Sequence, residues 1–111
     1  MDKELIEQIK KIVAEEFCVP MEALSGKRGS NYISKVRHVF NRSIYMLGYS
    51  AKMVGQAVGK DHSTIVHSIR TYNKEFKENP FFKLKVGIVE AKIENTLNEK
   101  KAKASKDGKG R

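Results

Sequence analysis

Apolar side chains recur at intervals of three and four residues along most of this chain, which is the spacing of one face of an α-helix. Leu5, Ile9 and Val13 define such a face in the first helix, and Val36 and Phe40 lie on a second. The pattern predicts helices over residues 3 to 17, 31 to 47, 51 to 58, 62 to 79 and 81 to 98, with one extra turn near residues 21 to 24. The sequence therefore predicts an all-α fold.

The chain has 111 residues, which suits one small domain with a modest core. We place that domain at residues 1 to 98. Its last helix is expected to pack through one apolar stripe, made of Phe81, Leu84, Ile88, Ala91 and Leu97. Residues 99 to 111 are rich in lysine, glycine and serine and are predicted to form a disordered tail, because they contain too little apolar surface to bury.

A short helix, a glycine and a longer helix follow one another over residues 51 to 79, which is the pattern of a helix-turn-helix. Ser50 is expected to cap the short helix, whose inward residues are predicted to be Val54, Ala57 and Val58. Gly59 permits the left-handed backbone of a tight turn, and Asp61 is expected to cap the longer helix with its side chain. Pro80 ends that helix.

The longer helix has a core stripe and a polar ridge on opposite sides. With Ile65 at zero on a helical wheel of about 100° per residue, Ile69, Tyr72 and Phe76 fall within roughly 40° of it. The opposite direction holds the ridge residues Ser63, His67, Arg70 and Lys74. The major groove of DNA accepts a helix, and the first residues of a recognition helix approach the base edges. A solvated face without a ligand is the simpler alternative.

Positive charge is concentrated in the middle of the chain. The whole chain has a net charge of +9, and residues 25 to 74 hold nine lysines and arginines against a single acid, Asp61. Such a field attracts a polyanion, and DNA, RNA and an anionic membrane surface are the three candidates. A membrane-surface role is disfavoured, because the long helix needs its apolar stripe for the domain's own core.

Several other functions find no support in the sequence. Cys18 is the only cysteine, the three histidines lack zinc-ligand spacing, and no nucleophile, base and orienting group can be recognised, so we expect no metal, no cofactor and no enzyme. Residues 55 to 61 superficially resemble a phosphate-binding loop but lack one spacer and the required serine or threonine, so no nucleotide is expected. Without a secretion signal or a membrane-length apolar run, we expect a cytoplasmic protein.

Residues 54 to 68, with the sequence VGQAVGKDHSTIVHS, resemble the signature of the C-terminal DNA-binding domain of the bacterial replication initiator DnaA. The resemblance extends over roughly residues 5 to 72 and includes the basic loop at residues 25 to 28. It implies an all-α fold, similar also to the Trp repressor, and sequence-specific binding of double-stranded DNA.

The resemblance also implies a role for individual residues. Asp61, His62 and Ser63 match positions that read bases in the major groove, and Arg28 matches the arginine that enters the minor groove. Arg37, Thr64 and His67 match positions that contact the DNA backbone. Apart from the resemblance, Arg70 and Lys74 are expected to contact phosphates because they lie further along the helix, and Lys27 and Lys60 are assigned to the same set. The family more often has threonine where Ser63 stands, which leaves a different target sequence open.

We expect a stand-alone relative without the initiator's ATPase domain that regulates DNA replication or transcription. An excised domain of a longer protein is the alternative. A monomer is expected in solution, with a homodimer as the second option. The competing function is a protein-interaction module that pairs through the terminal helix at residues 81 to 98.

Overall fold

The computed structural model describes residues 2 to 25 and 29 to 109, with side chains up to residue 101, and this part of the chain is built from α-helices. In chain order they are α1 (Lys3–Glu16), α2 (Met21–Ser25), α3 (Asn31–Tyr45), α4 (Ala51–Val58), α5 (His62–Glu78) and α6 (Pro80–Lys109). The all-α fold predicted from the sequence is confirmed, and the helix boundaries lie within a few residues of their predicted positions except at the end of α6.

Short polar side chains begin four of the helices, and for α6 this is Asn79, whose Oδ1 accepts a hydrogen bond from the Phe82 amide at 3.2 Å. The Asp2 carboxylate accepts a hydrogen bond from the Leu5 amide at 3.0 Å, and Ser30 Oγ accepts from the Ile33 amide at 3.3 Å. Ser50 Oγ accepts from the Met53 amide at 3.2 Å. Each cap pairs one of the amides that the first turn of a helix leaves without a partner.

The core lies where α1, α3, α5 and α6 meet. α3 packs against both α1 and α5, while α6 covers α1 and α5. Ile9, Val36, Ile44 and Ile65 are completely buried in this core. α4 packs on α3 and α5, so the two helices of the helix-turn-helix unit rest on the central helix α3.

One predicted inward residue of α4 points the other way. Ala57 is exposed, whereas Gly55 is buried beside Val54. The reason is the tight turn after α4, which brings the backbone of Lys60 back against Gly55 and fills the inner face of the helix there. The sequence interpretation of α4 is corrected at this position.

The terminal helix differs from its prediction in its packing face. The side chains that enter the core are Phe82, Val86, Val89 and Ile93. The stripe predicted to pack is instead mostly outside, because Phe81, Leu84, Ile88 and Ala91 are exposed, while Leu97 is partly buried. Both sets have helical spacing, so the helix carries two apolar faces and the domain uses the second.

The end of α6 also differs from its prediction. The helix continues to Lys109 and therefore includes most of the segment that the sequence assigned to a disordered tail. Glu99, Lys100 and Lys101 are good helix formers, and the first turns of α6 already provide the costly nucleus, so each further residue adds a hydrogen bond at little cost. The Lys100 ammonium also pairs with the Asp2 carboxylate at the start of α1.

Candidate nucleic-acid interface

A tight glycine turn joins α4 to α5. Gly59 has φ 72° and ψ 36°, the left-handed conformation expected from the sequence, and ends α4. The Lys60 amide then donates a hydrogen bond to the Gly55 carbonyl at 2.8 Å. A Cβ atom on Gly55 would lie 2.5 Å from the Lys60 carbonyl oxygen, which is closer than such atoms approach. The angle at which α5 leaves the turn therefore depends on the absence of a side chain at Gly55.

Asp61 occupies the cap position of α5 without capping it. Its backbone is extended, with φ −70° and ψ 155°, and its carbonyl accepts from the Ile65 amide at 3.2 Å. The side chain makes no hydrogen bond to the first turn, so the cap predicted for this carboxylate is absent. The carboxylate is turned outward and exposed at the start of α5, where it is accessible to another molecule.

The polar ridge of α5 faces solvent over its whole length. Ile65 is fully buried, and Tyr72 is 2% exposed. The polar residues of the ridge and of its start are all exposed: His62, Ser63, Thr64, His67, Arg70 and Lys74. Lys60, in the turn, is half-buried. The predicted opposition of core stripe and polar ridge is thus present in the structure.

A buried polar network holds α5 against α3 from behind. Ser68 is 1% exposed, and its hydroxyl oxygen accepts a hydrogen bond from Asn41 Nδ2 at 3.0 Å. The same hydroxyl is hydrogen-bonded to His38 Nδ1. Burial lowers the pKa of His38, and the nearby His67 lowers it further. The neutral imidazole is therefore favoured, which suits a ring whose nitrogen is engaged with a buried serine.

Tyr72 anchors the middle of α5, and its ring packs against Arg42, one of the basic residues in the middle of the chain. The guanidinium of Arg42 lies over the Tyr72 ring, 4.5 Å from its centroid, and Arg42 Nη1 pairs with Glu90 Oε1 of α6 at 2.7 Å. Burial raises the pKa of Tyr72 to about 12. Arg42 therefore serves the packing of α3, α5 and α6, and its charge is already paired within the domain.

The ridge cations differ from Arg42 in how their charges are paired. Lys35 pairs with Glu75 at 2.9 Å, so it resembles Arg42 in being neutralised internally. Among the residues that the structure describes, neither Arg70 nor Lys74 forms an ion pair. Their charges remain directed outward, along the same helix face as His67.

Of the three remaining predicted contact residues, Arg37 alone lies within the described part of the chain. Lys27 and Arg28 are outside the described residues. Arg37 of α3 is half-buried, and its Nε donates to the carbonyl oxygen of Ala23 at 2.8 Å. This hydrogen bond fastens α2 to α3 just before the basic loop begins, so Arg37 helps to fix where that loop starts.

Other kinds of site have no counterpart in the described part of the chain. Within residues 2 to 25 and 29 to 109, no three side chains of histidine, cysteine, aspartate or glutamate are grouped so as to hold a metal ion. None of the helices in those ranges combines the length and the apolar character needed to cross a membrane.

A tight glycine turn, a buried stripe and an exposed polar ridge on the second helix together define a helix-turn-helix domain. The family described as the bacterial dnaA protein helix-turn-helix matches residues 6–71, from α1 to the middle of α5. The chain belongs to this family. It is therefore a DNA-binding domain, and its partner class is double-stranded DNA. α6 lies outside the matched residues, and it packs against α1 and α5, which lie wholly or partly within them.

Proposed function

We propose that this domain recognises a specific sequence in double-stranded DNA by placing the start of α5 in the major groove. The observation that carries the proposal is the exposure of Asp61, His62 and Ser63 at the amino end of a helix that Ile65 and Tyr72 hold from behind. Base edges in the major groove present distinct patterns of donors and acceptors. A carboxylate, an imidazole and a hydroxyl offer complementary groups.

Contacts to the DNA backbone are assigned to the remaining exposed polar groups. Thr64 and His67 lie within the first two turns of α5. Arg70 and Lys74 follow one and two turns later, where the phosphates of the DNA backbone are nearer than the base edges. Lys60 in the turn belongs to the same set. Lys27 and Arg37 are proposed to contact phosphates beside the basic loop, and Arg28 is proposed to enter the minor groove, where an arginine meets concentrated negative potential.

Selection from a pool of random duplexes at fixed salt tests sequence specificity directly. We expect enrichment of one discrete motif, because each well-aligned base contact discriminates by about 1–3 kcal/mol. A parallel selection with a His62→Ala, Ser63→Ala double variant serves as the control and should give a flatter motif. If the unaltered chain enriches no motif from the pool, specific recognition is contradicted and only general DNA binding is left.

The two ridge cations are expected to supply affinity without sequence preference. Arg70→Ala and Lys74→Ala should each weaken binding to every duplex alike and make the slope of log Kobs against log salt less negative by about 0.9, because fewer counterions are released on binding when one phosphate contact is lost. Titrations on two unrelated duplexes at several salt concentrations measure this. Lys11→Ala, on the exposed side of α1, is the matched control and should leave the slope unchanged. A change in the preference between the duplexes would show that the residue reads bases.

We further propose that the domain acts in the control of DNA replication or transcription, as the family to which it belongs suggests. Mapping the bound sites across the host genome distinguishes these roles, because sites clustered at an origin indicate replication and sites at promoters indicate transcription. Occupancy spread evenly along the genome would contradict both.

A further inference from the structure

His38 of α3 contacts the buried side of α5, behind the polar ridge. Its Nδ1 is hydrogen-bonded to the buried hydroxyl of Ser68, and Asn41 Nδ2 donates to the same hydroxyl oxygen at 3.0 Å. Ser68 lies within the first two turns of α5, directly after the ridge residue His67. The network therefore holds the part of α5 that is proposed to enter the groove.

The hydrogen bonds of this network run in one direction. An amide nitrogen donates and does not accept, so the Ser68 oxygen accepts from Asn41 and the hydroxyl proton is left for His38. Within the described part of the chain, these are the hydrogen bonds that the Ser68 hydroxyl makes. Nδ1 of His38 is therefore the acceptor, which requires a neutral ring with its proton on Nε2.

A second proton on His38 disrupts this order. Both ring nitrogens donate in a histidinium ion, so Nδ1 and Asn41 Nδ2 would each direct a proton at the Ser68 oxygen. The hydroxyl proton of Ser68 would then lose its acceptor in a buried site, and a buried donor without a partner is costly. Protonation of His38 therefore loosens the hold of α3 on α5.

The groups around His38 favour its neutral form. Burial lowers the pKa of His38, and the coulombic effect of His67 lowers it further. Glu75 lines the cavity beside the ring, but its carboxylate is already paired with Lys35 at 2.9 Å. α6 faces that cavity with the uncharged side chain of Phe82. The titratable and charged groups that surround His38 come from α3 and α5: Lys35, Arg42, His67, Tyr72 and Glu75.

We infer that His38 is a positioning residue for DNA recognition, which orients α5 through Ser68 when it is neutral and releases that hold when it is protonated. This role rests on the proposed placement of α5 in the major groove. His67 acts in the opposite sense, because a proton on this exposed ring adds positive charge to the ridge and strengthens binding to every duplex. Acidification is therefore expected to reduce sequence preference while general affinity for DNA holds or rises.

Two measurements without DNA test the hold on α5. Heteronuclear NMR should show a neutral His38 ring with its proton on Nε2 and a titration below the ordinary pKa of 6.5. Stability should then be complete above that value and fall below it, because the unfolded imidazole takes up a proton that the folded ring resists. Between about pH 7.5 and about pH 5.5, the ratio of folded to unfolded chain should fall by up to about tenfold more than in His38→Asn. A ring protonated on Nδ1, or a titration at or above 6.5, overturns the inference.

Competition between the selected duplex and a scrambled one, at the same two pH values, tests the effect on recognition. His38→Asn offers an amide oxygen in the place of Nδ1 and does not titrate. Its ratio of affinities should match that of the unaltered chain at the higher pH and exceed it several-fold at the lower pH. His38→Phe keeps a ring without an acceptor, and its ratio should be reduced at both. His62 and His67 are present in all three proteins, so the differences between them belong to position 38.

The outcomes separate this role from the proposed function. Equal pH dependence of the ratio in the unaltered chain and in His38→Asn overturns the role of His38, and so does a His38→Phe variant that discriminates normally. A chain that prefers neither duplex at either pH contradicts specific recognition instead. The NMR and stability measurements, which need no DNA, then still decide whether neutral His38 holds α5.

Discussion

Replacement of Gly55 by alanine is expected to lower the free energy of unfolding by about 1–3 kcal/mol, which is the usual cost of forcing extra atoms into a packed site. The added Cβ would lie 2.5 Å from the Lys60 carbonyl oxygen and 3.4 Å from the Asp61 carbonyl carbon. Both are backbone atoms, so relief requires the turn to open and not merely a side chain to rotate. DNA binding should fall as well, since this turn sets the direction in which α5 leaves α4.

Gly87→Ala provides a matched comparison, because it makes the same chemical change in another helix. Nothing lies within 4 Å of the added methyl group, so we expect a gain of about 0.5–1 kcal/mol from the better helix propensity of alanine. Urea denaturation of both variants measures the difference. Equal stability of the two variants would show that the turn at Gly55 can relax freely.

Gly59 and Gly55 illustrate which parts of the site the sequence could predict. Gly59 was predicted correctly, because a single glycine between two helical patterns indicates a left-handed residue, and its φ is 72°. The requirement at Gly55 was missed, because it arises from the return of the chain at Lys60, five residues later. Close approach between backbones depends on the path of the turn and leaves no periodic signal.

The network behind α5 was missed for a related reason. Sequence periodicity follows apolar residues such as Val36 and Phe40, and it gives no signal for a polar residue such as His38. The structure half-buries His38 and places Asn41, three residues later, on the same buried Ser68. Polar residues that enter a core in matched sets are indistinguishable from surface residues until the neighbouring helix is placed.

Periodicity was also insufficient for α6, although it correctly predicted a helix there. Phe81, Leu84 and Ile88 have helical spacing, and so have Phe82, Val86 and Val89. Either set could have faced the core, and only the packing against α1 and α5 decides between them. In α5 the choice was predictable, because the side opposite Ile65 and Tyr72 is polar throughout and cannot enter a core.

Asp61→Ala is expected to separate recognition from stability. The carboxylate does not cap α5, so its removal should change the free energy of unfolding by less than about 0.5 kcal/mol, as for an ordinary surface substitution. Discrimination between the selected site and a scrambled duplex should fall by about 1–3 kcal/mol if the carboxylate accepts from a base amino group. Affinity for unrelated DNA should rise, because a negative charge near the phosphates is lost.

Ser50→Ala is the control, because Ser50 makes the hydrogen bond that Asp61 lacks. Its hydroxyl accepts from the Met53 amide at 3.2 Å, and its loss should cost about 0.5–2 kcal/mol of stability. The ratio of affinities for selected and scrambled duplexes should stay near that of the unaltered chain, because Ser50 lies outside the proposed readout set. Urea denaturation and competition binding at one salt concentration measure both quantities for the two variants. If Asp61→Ala instead destabilises the domain as Ser50→Ala does and leaves discrimination intact, the outward carboxylate serves the helix and not the DNA.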